Sequence, residues 1–188
     1  MDKTESEIDL LIKENQRHIE RLNKMILNLH SVANIRFWYW SLGNFSKSSN
    51  IHKDLMNMDA LTTSIVISYG RLFAGGNGSI KLKDDIIPDS FKLVHDAIID
   101  LRNQKYAHHG GHRSIESVIK IEYIDSTLSI FPTMNLDICF GAPKEWASLF
   151  EWLDNFMYAN IDKQLFFLTR KTGIEWKIPH GDAPEWVV

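Results

Sequence analysis

Between Thr4 and His30 the chain has neither glycine nor proline, and its apolar residues recur at intervals of three, four and seven: Ile8, Leu11, Ile12, Ile19, Leu22, Met25, Ile26 and Leu29. An α-helix gathers that spacing on one face, because each residue turns the chain by about 100°. The spacing predicts a long amphipathic N-terminal helix within residues 1–30, whose polar face of mixed charge is simply solvated. The same period governs most of the remaining chain. A second helix is expected from Val32 to Phe45, ending in the turn-rich Ser46-Lys47-Ser48-Ser49-Asn50. Its run Phe37-Trp38-Tyr39-Trp40 reads as core packing rather than a platform for bases, since consecutive residues cannot all face one ligand. A third helix, Lys53 to Phe73, stops at Gly75-Gly76-Asn77-Gly78. A phosphate loop there would need a preceding strand and a following Gly-Lys-Ser/Thr; neither is present, so a flexible loop is expected.

Pro88-Asp89-Ser90 begins a fourth helix, with Asp89 or Ser90 as its cap; Leu93, Val94, Ala97, Ile98 and Leu101 continue it, and Gly110-Gly111 end it. After that the period changes to two. Val118, Ile119, Ile121, Tyr123 and Ile124, then Leu128, Ile130, Leu136, Ile138 and Phe140, are separated by turn residues Asp125-Ser126 and Pro132-Thr133, which predicts two or three short antiparallel strands. Pro143 opens a last helix that runs to about Lys171, with Gly173 past its end, and residues 174–188 form an irregular tail. The expected fold is mainly α: one domain over 1–188, an up-and-down bundle of about five helices with a small antiparallel β-hairpin or meander near residues 115–141.

Composition narrows the function classes. Hydrophobic content of 44% with 24% charged residues excludes wholesale disorder. A net charge of −3 gives no general pull toward nucleic acid, so any RNA contact must rest on a local basic patch. Cys139 is the only cysteine, which excludes an intramolecular disulfide; it reads as a small buried hydrophobe in a reducing compartment. The charged N-terminus lacks a signal segment, and no stretch reaches the roughly 20 apolar residues of a membrane span. A cytoplasmic protein with no membrane association is expected.

The chemistry concentrates in Leu101-Arg102-Asn103-Gln104-Lys105-Tyr106-Ala107-His108-His109-Gly110-Gly111-His112. Arginine is a permanent cation whose planar fork of donors matches phosphate oxygens. Histidine gives or takes a proton near neutral pH. An Arg followed by His after four to six residues is common by chance: seven Arg and eight His in 188 residues yield roughly one such pair. Context adds the specificity: Asn103 follows the Arg, Ala107 precedes His108, and two glycines close an apolar-periodic helix.

With those features the segment resembles the HEPN superfamily of helical-bundle proteins, whose signature is an arginine, usually followed by a polar residue, and a histidine after four to six positions. Arg102, Asn103 and His108 match with five residues between, and His109 would match with six. Tyr69-Gly70-Arg71-Leu72-Phe73 and Val94-His95-Asp96 also look like uncharacterised bacterial relatives linked to abortive infection. The resemblance covers roughly residues 55–112; the β segment and the long N-terminal helix lie outside the usual pattern. It implies a metal-independent endoribonuclease or toxin-type defence protein, commonly a homodimer with the motif at its interface and with RNA, an antitoxin or another protein as partner. In that role Arg102 would hold phosphate, His108 would act as general acid or base and Asn103 would orient groups, with His109, His112, Arg71 and Tyr69 as accessory residues. No cofactor is implied. Some members carry a regulatory tyrosine two residues past the histidine; Gly110 stands there instead.

Helix geometry supports the dimer separately. Six residues of α-helix separate Arg102 from His108 by about 9 Å along the axis and about 120° around it. One helix does not readily close both groups on one phosphate, whereas two copies related by a two-fold axis pair the Arg of one with the His of the other. Two rival readings stand beside it. Arg102 could pair with Asp96 or Glu116 while His108 and His109 cap the helix end, or the fold could serve as a non-catalytic module that binds RNA or a protein. A metal site is disfavoured, because the glycines break the helix that would bring His108 and His112 to one face, and no carboxylate stands at ligand spacing.

Overall fold

The computed structural model describes residues 4–75, 78–106, 115–124, 126–136, 142–179, 181–182 and 184–187. Among these the chain forms five α-helices and one two-stranded antiparallel hairpin, the expected mainly α bundle. The helices are α1 (Glu5–Glu14), α2 (Gln16–Gly43), α3 (Ile51–Ala74), α4 (Asp89–Leu101) and α5 (Glu145–Thr172), with strands β1 (Ile115–Ile124) and β2 (Thr127–Leu136) between the last two. No helix of the described residues is long and apolar enough to cross a membrane.

The number of helices matches expectation, but the first boundary moves. The predicted break near Ser31 is absent: α2 runs through it, because the Ser31 hydroxyl donates back to the Leu27 carbonyl, four residues earlier, at 3.0 Å. A serine so engaged stays inside a helix instead of capping a new one. The break comes at Asn15, which is buried and at φ −105, ψ 9. Its side-chain amide donates to the Leu11 carbonyl at 2.8 Å, beside the bond from its own backbone N–H to the same carbonyl at 3.2 Å. The other ends follow their local chemistry. Asn50 caps α3 by accepting from the Lys53 amide at 3.2 Å, and Gly173 ends α5 in the left-handed conformation at φ 69. Pro88, rather than Asp89 or Ser90, occupies the cap position of α4.

Three helices build the main core. Val32 and Ile35 of α2, Ile65, Val66, Tyr69 and Leu72 of α3, and Leu149, Phe150 and Leu153 of α5 are almost entirely buried, and Ile98 of α4 joins them. Each such aliphatic side chain contributes about 1.5–3 kcal/mol. Trp38 and Tyr39 pack against this core as expected, while Phe37, edge-on to Trp186, and Trp40 stay partly exposed. A part-buried ion pair between Arg36 and Asp154 joins α2 to α5. A smaller cluster of Leu22, Ile161 and Leu168 receives Trp176 and Ile178 from the tail. The loop after α3 folds back on it, the Leu82 amide donating to the Leu72 carbonyl at 2.8 Å; Gly76 and Asn77 of the predicted glycine loop lie outside the described residues.

The β segment is a hairpin in which Ile124 pairs with Thr127 and Ile115 with Leu136. Ser126 in its turn has φ 62, in the left-handed region. Pro132-Thr133, expected as a second turn, both lie within β2, paired with Ile119 and Val118. Behind a two-residue turn hydrogen-bonded and non-bonded pairs alternate, and counting from Ile124–Thr127 puts Ile119–Pro132 at a non-bonded pair. Proline there forfeits no ladder hydrogen bond. Cys139 lies outside the described residues.

Candidate functional site

The last turns of α3 and α4 meet where the sequence concentrates its chemistry. Tyr69 is fully buried, and its hydroxyl lies 2.8 Å from Nδ1 of His95, itself 2% exposed. The His95 ring is enclosed by Tyr69 and Phe73, with ring centroids at 5.8 and 4.6 Å. Its Nε2 points toward Asp84, whose Oδ1 is 3.6 Å away. A neutral imidazole protonated on Nε2 satisfies both ends: Tyr69 donates to Nδ1, and Nε2–H faces the carboxylate. Burial holds the His95 pKa below its ordinary value, against the opposing pull of Asp84 and Asp96. Burial, reinforced by the same two carboxylates, drives the Tyr69 phenol far above the usual tyrosine range. The couple is therefore uncharged near neutral pH and fastens α3 to α4.

One residue past Tyr69, Gly70 opens a slot for Arg102. A Cβ at Gly70 would stand 3.0 Å from Arg102 Cγ and 3.1 Å from its Cδ, so the arginine stem lies directly on the glycine. Arg102 Nη1 donates to Asn103 Oδ1 at 2.8 Å, while its Nε is buried with no hydrogen-bond partner among the described residues. Of the rival pairings, the one with Asp96 does not occur: among the described residues Arg102 makes no ion pair, and Asp96 is exposed; the Glu116 side chain lies outside what the structure describes. The guanidinium is thus anchored by its stem and by an amide, and no carboxylate among the described residues compensates its charge.

The backbone carrying this group is not the α-helix that the periodicity predicts up to Gly110. The α-helix ends at Leu101, and Arg102–Tyr106 form a π-helical turn. Such turns interrupt the α ladder at a local energetic cost and are found often at functional sites. The calculated 9 Å and 120° between Arg102 and His108 assume α geometry throughout and do not hold across this turn.

Of the residues singled out from sequence, Arg102, Asn103 and Tyr69 fall in one neighbourhood around Gly70. Arg71, although next in sequence, is exposed. His108, His109 and His112 lie outside the described residues, as do Gly110 and Gly111. His95 is not among the predicted site residues. Its only signal is the Val94-His95-Asp96 similarity, since a lone histidine on an apolar face is usually a satisfied core residue. A separate groove of about 860 Å³ lies between α2, α5 and the tail, lined by Arg36, Asp154, Tyr158, Phe166, Trp176 and Lys177 among others; none of the predicted site residues that the structure describes lines it. No family model, curated protein or solved structure matches this chain.

Proposed function

We propose that this protein is a HEPN-like, metal-independent endoribonuclease of the toxin or defence type, acting on cytoplasmic RNA as a dimer. The observation that carries the reading is the state of Arg102: its stem is seated on Gly70, its Nη1 is held by Asn103 at 2.8 Å, and its charge is neutralised by no carboxylate among the described residues. A cation prepared in this way is suited to an anionic phosphodiester. In the reaction an imidazole, assigned to His108, takes the proton of a ribose 2′-hydroxyl. The 2′-oxygen then bonds to phosphorus and the P–O5′ bond breaks. The electron pair leaves on O5′, which takes a proton from water as the imidazolium returns its own to solvent, and a 2′,3′-cyclic phosphate remains. Arg102 stabilises the charge developing on the non-bridging oxygens, and Asn103 keeps the guanidinium oriented.

A second reading, a non-catalytic module for a protein partner such as an antitoxin, is favoured by the acidic outer side of α4. Asp89, Asp96 and Asp100 are all exposed there, in a chain of net charge −3. Cleavage of RNA in chelator separates the two. Under the enzyme reading His108→Ala lowers the rate by about 10²–10⁴, and Arg102→Ala lowers it by about 10² or more. No cleavage by the unmodified protein, or equal cleavage by both variants, would leave the binding module as the better account.

A further inference from the structure

We propose that the groove between α2, α5 and the tail is a docking site for a basic peptide segment of a partner protein, held through its arginine or lysine side chains. The proposal does not rest on the ribonuclease reading, since Arg102, Asn103, Gly70 and Tyr69 are all absent from the groove's lining.

The groove is built before anything enters it. One wall is a single face of α5. Glu151, Asn155, Tyr158, Asp162 and Thr169 follow at steps of four, three, four and seven, which keeps them within about 60° around the helix. The opposite wall is the tail, fixed at Trp176. The Trp176 backbone N–H donates to Thr169 Oγ1 at 3.0 Å and its indole N–H to Thr172 Oγ1 at 2.9 Å. Its side chain also packs against Leu22, Ile161 and Leu168. Walls already in place reduce the ordering cost of binding. At about 860 Å³ the space falls within the roughly 300–1,000 Å³ of ligand sites.

Charge selects the occupant. Among the described residues five carboxylates and two cations line the groove. The two cations are matched, Arg36 by Asp154 and Lys177 by Glu175 at 3.9 Å. Glu151, Asp162 and Asp182 remain, each exposed and in no ion pair among the described residues. An anion or an apolar helix seated there would meet or desolvate three unpaired carboxylates, whereas cations offset them. The rings agree with the charge. Tyr158, Phe166 and Trp176 line the same groove, and a ring face attracts a guanidinium or ammonium by about 0.5–1 kcal/mol at an exposed site. Phe166 shows this contact within the chain, the Arg170 guanidinium lying 5.9 Å from its ring centroid. That one cation reduces the local negative excess without reversing it.

Length favours a peptide over a small amine. From Glu151 to Thr169 the α5 wall is about 27 Å long, the span of about eight residues of extended chain. Between the carboxylates of Glu151 and Asp162, Asn155 offers both a donor and an acceptor to a peptide amide.

The test is fluorescence anisotropy of fluorescein-labelled octa-arginine titrated with the full chain, with spermine as the competing small amine. Two double variants change the net charge equally: Glu151→Lys/Asp162→Lys in the groove and Asp9→Lys/Glu14→Lys on α1. Circular dichroism checks the fold of each. The expected result is saturable binding, weakened about tenfold or more by the groove variant and by less than about twofold by the α1 variant. Tyr158→Ala/Phe166→Ala should weaken it about fivefold or more. Crosslinking of benzophenone-bearing octa-arginine to the unmodified chain needs no variant, and adducts are expected within residues 151–169 and 175–184. No saturable binding, equal weakening by the groove and α1 variants, or adducts outside those segments overturns the proposal. Displacement by spermine at equal concentration also overturns it, by assigning the groove to free amines. RNA cleavage should be unchanged in Glu151→Lys/Asp162→Lys. An inactive chain that still binds the peptide in the groove removes the ribonuclease reading alone, and an active chain that does not bind it removes this inference alone.

Discussion

His95 has the most constrained environment of any histidine described in this protein. It is buried among aromatic rings, accepts from Tyr69 and keeps its second nitrogen toward Asp84. Because burial lowers its folded pKa below about 6.5, its value in the unfolded chain, the unfolded state binds more protons between those two values. Stability contributed by keeping this imidazole neutral is therefore complete above pH 6.5 and is lost as pH falls through that value toward the folded pKa. Thermal unfolding between pH 7.5 and 5 should show a fall in melting temperature on acidification. In His95→Gln that fall should be shallower, although the variant starts from a lower melting temperature. A variant whose profile parallels the unmodified protein would show that another group carries the acid sensitivity.

The seam between α3 and the π-helical turn depends on an absent side chain. Gly70→Ala places a methyl group 3.0 Å from Arg102 Cγ, and the arginine stem has to shift by a few tenths of an ångström. Alanine also raises helix propensity by about 0.8–1 kcal/mol, which offsets the crowding, so overall stability should change by no more than about 1 kcal/mol. RNA cleavage should nonetheless fall by at least about tenfold, since a small misplacement of a charge-stabilising group is costly. Chemical denaturation beside the cleavage assay reads the two separately. Unchanged cleavage with unchanged stability would mean that the slot does not position Arg102. Periodicity makes the helices legible, but it does not reveal this seam. It records which residues face inward, and Gly70 matters through the space it leaves. Nor does the sequence announce the π-turn, because Leu101 to Tyr106 read as ordinary helix formers. Ser31 and Pro132 mislead for a related reason: each looks like a boundary locally, and each is accommodated by a back-bond or a strand register that only the folded chain supplies.

At the scale of the molecule, a three-helix core buries Tyr69 and Gly70, Arg102 follows directly on α4, and the described apolar side chains of the hairpin, Ile121, Tyr123, Leu128 and Ile130, are exposed. Alternating hydrophobicity makes the hairpin readable in sequence, but not that Ile121, Tyr123, Leu128 and Ile130 are left exposed; exposure is a property of the packed chain. On the proposed function these parts unite as two chains sharing two composite sites, each built from Arg102 of one copy and His108 of the other. Mixing the two single variants tests this most directly. Arg102→Ala and His108→Ala should each be inactive alone. After mixing and re-equilibration, half the dimers are mixed and each holds one intact site of two, so cleavage should return to about a quarter of the unmodified rate. A mixture as inactive as its components, beside an active unmodified protein, would contradict the shared site.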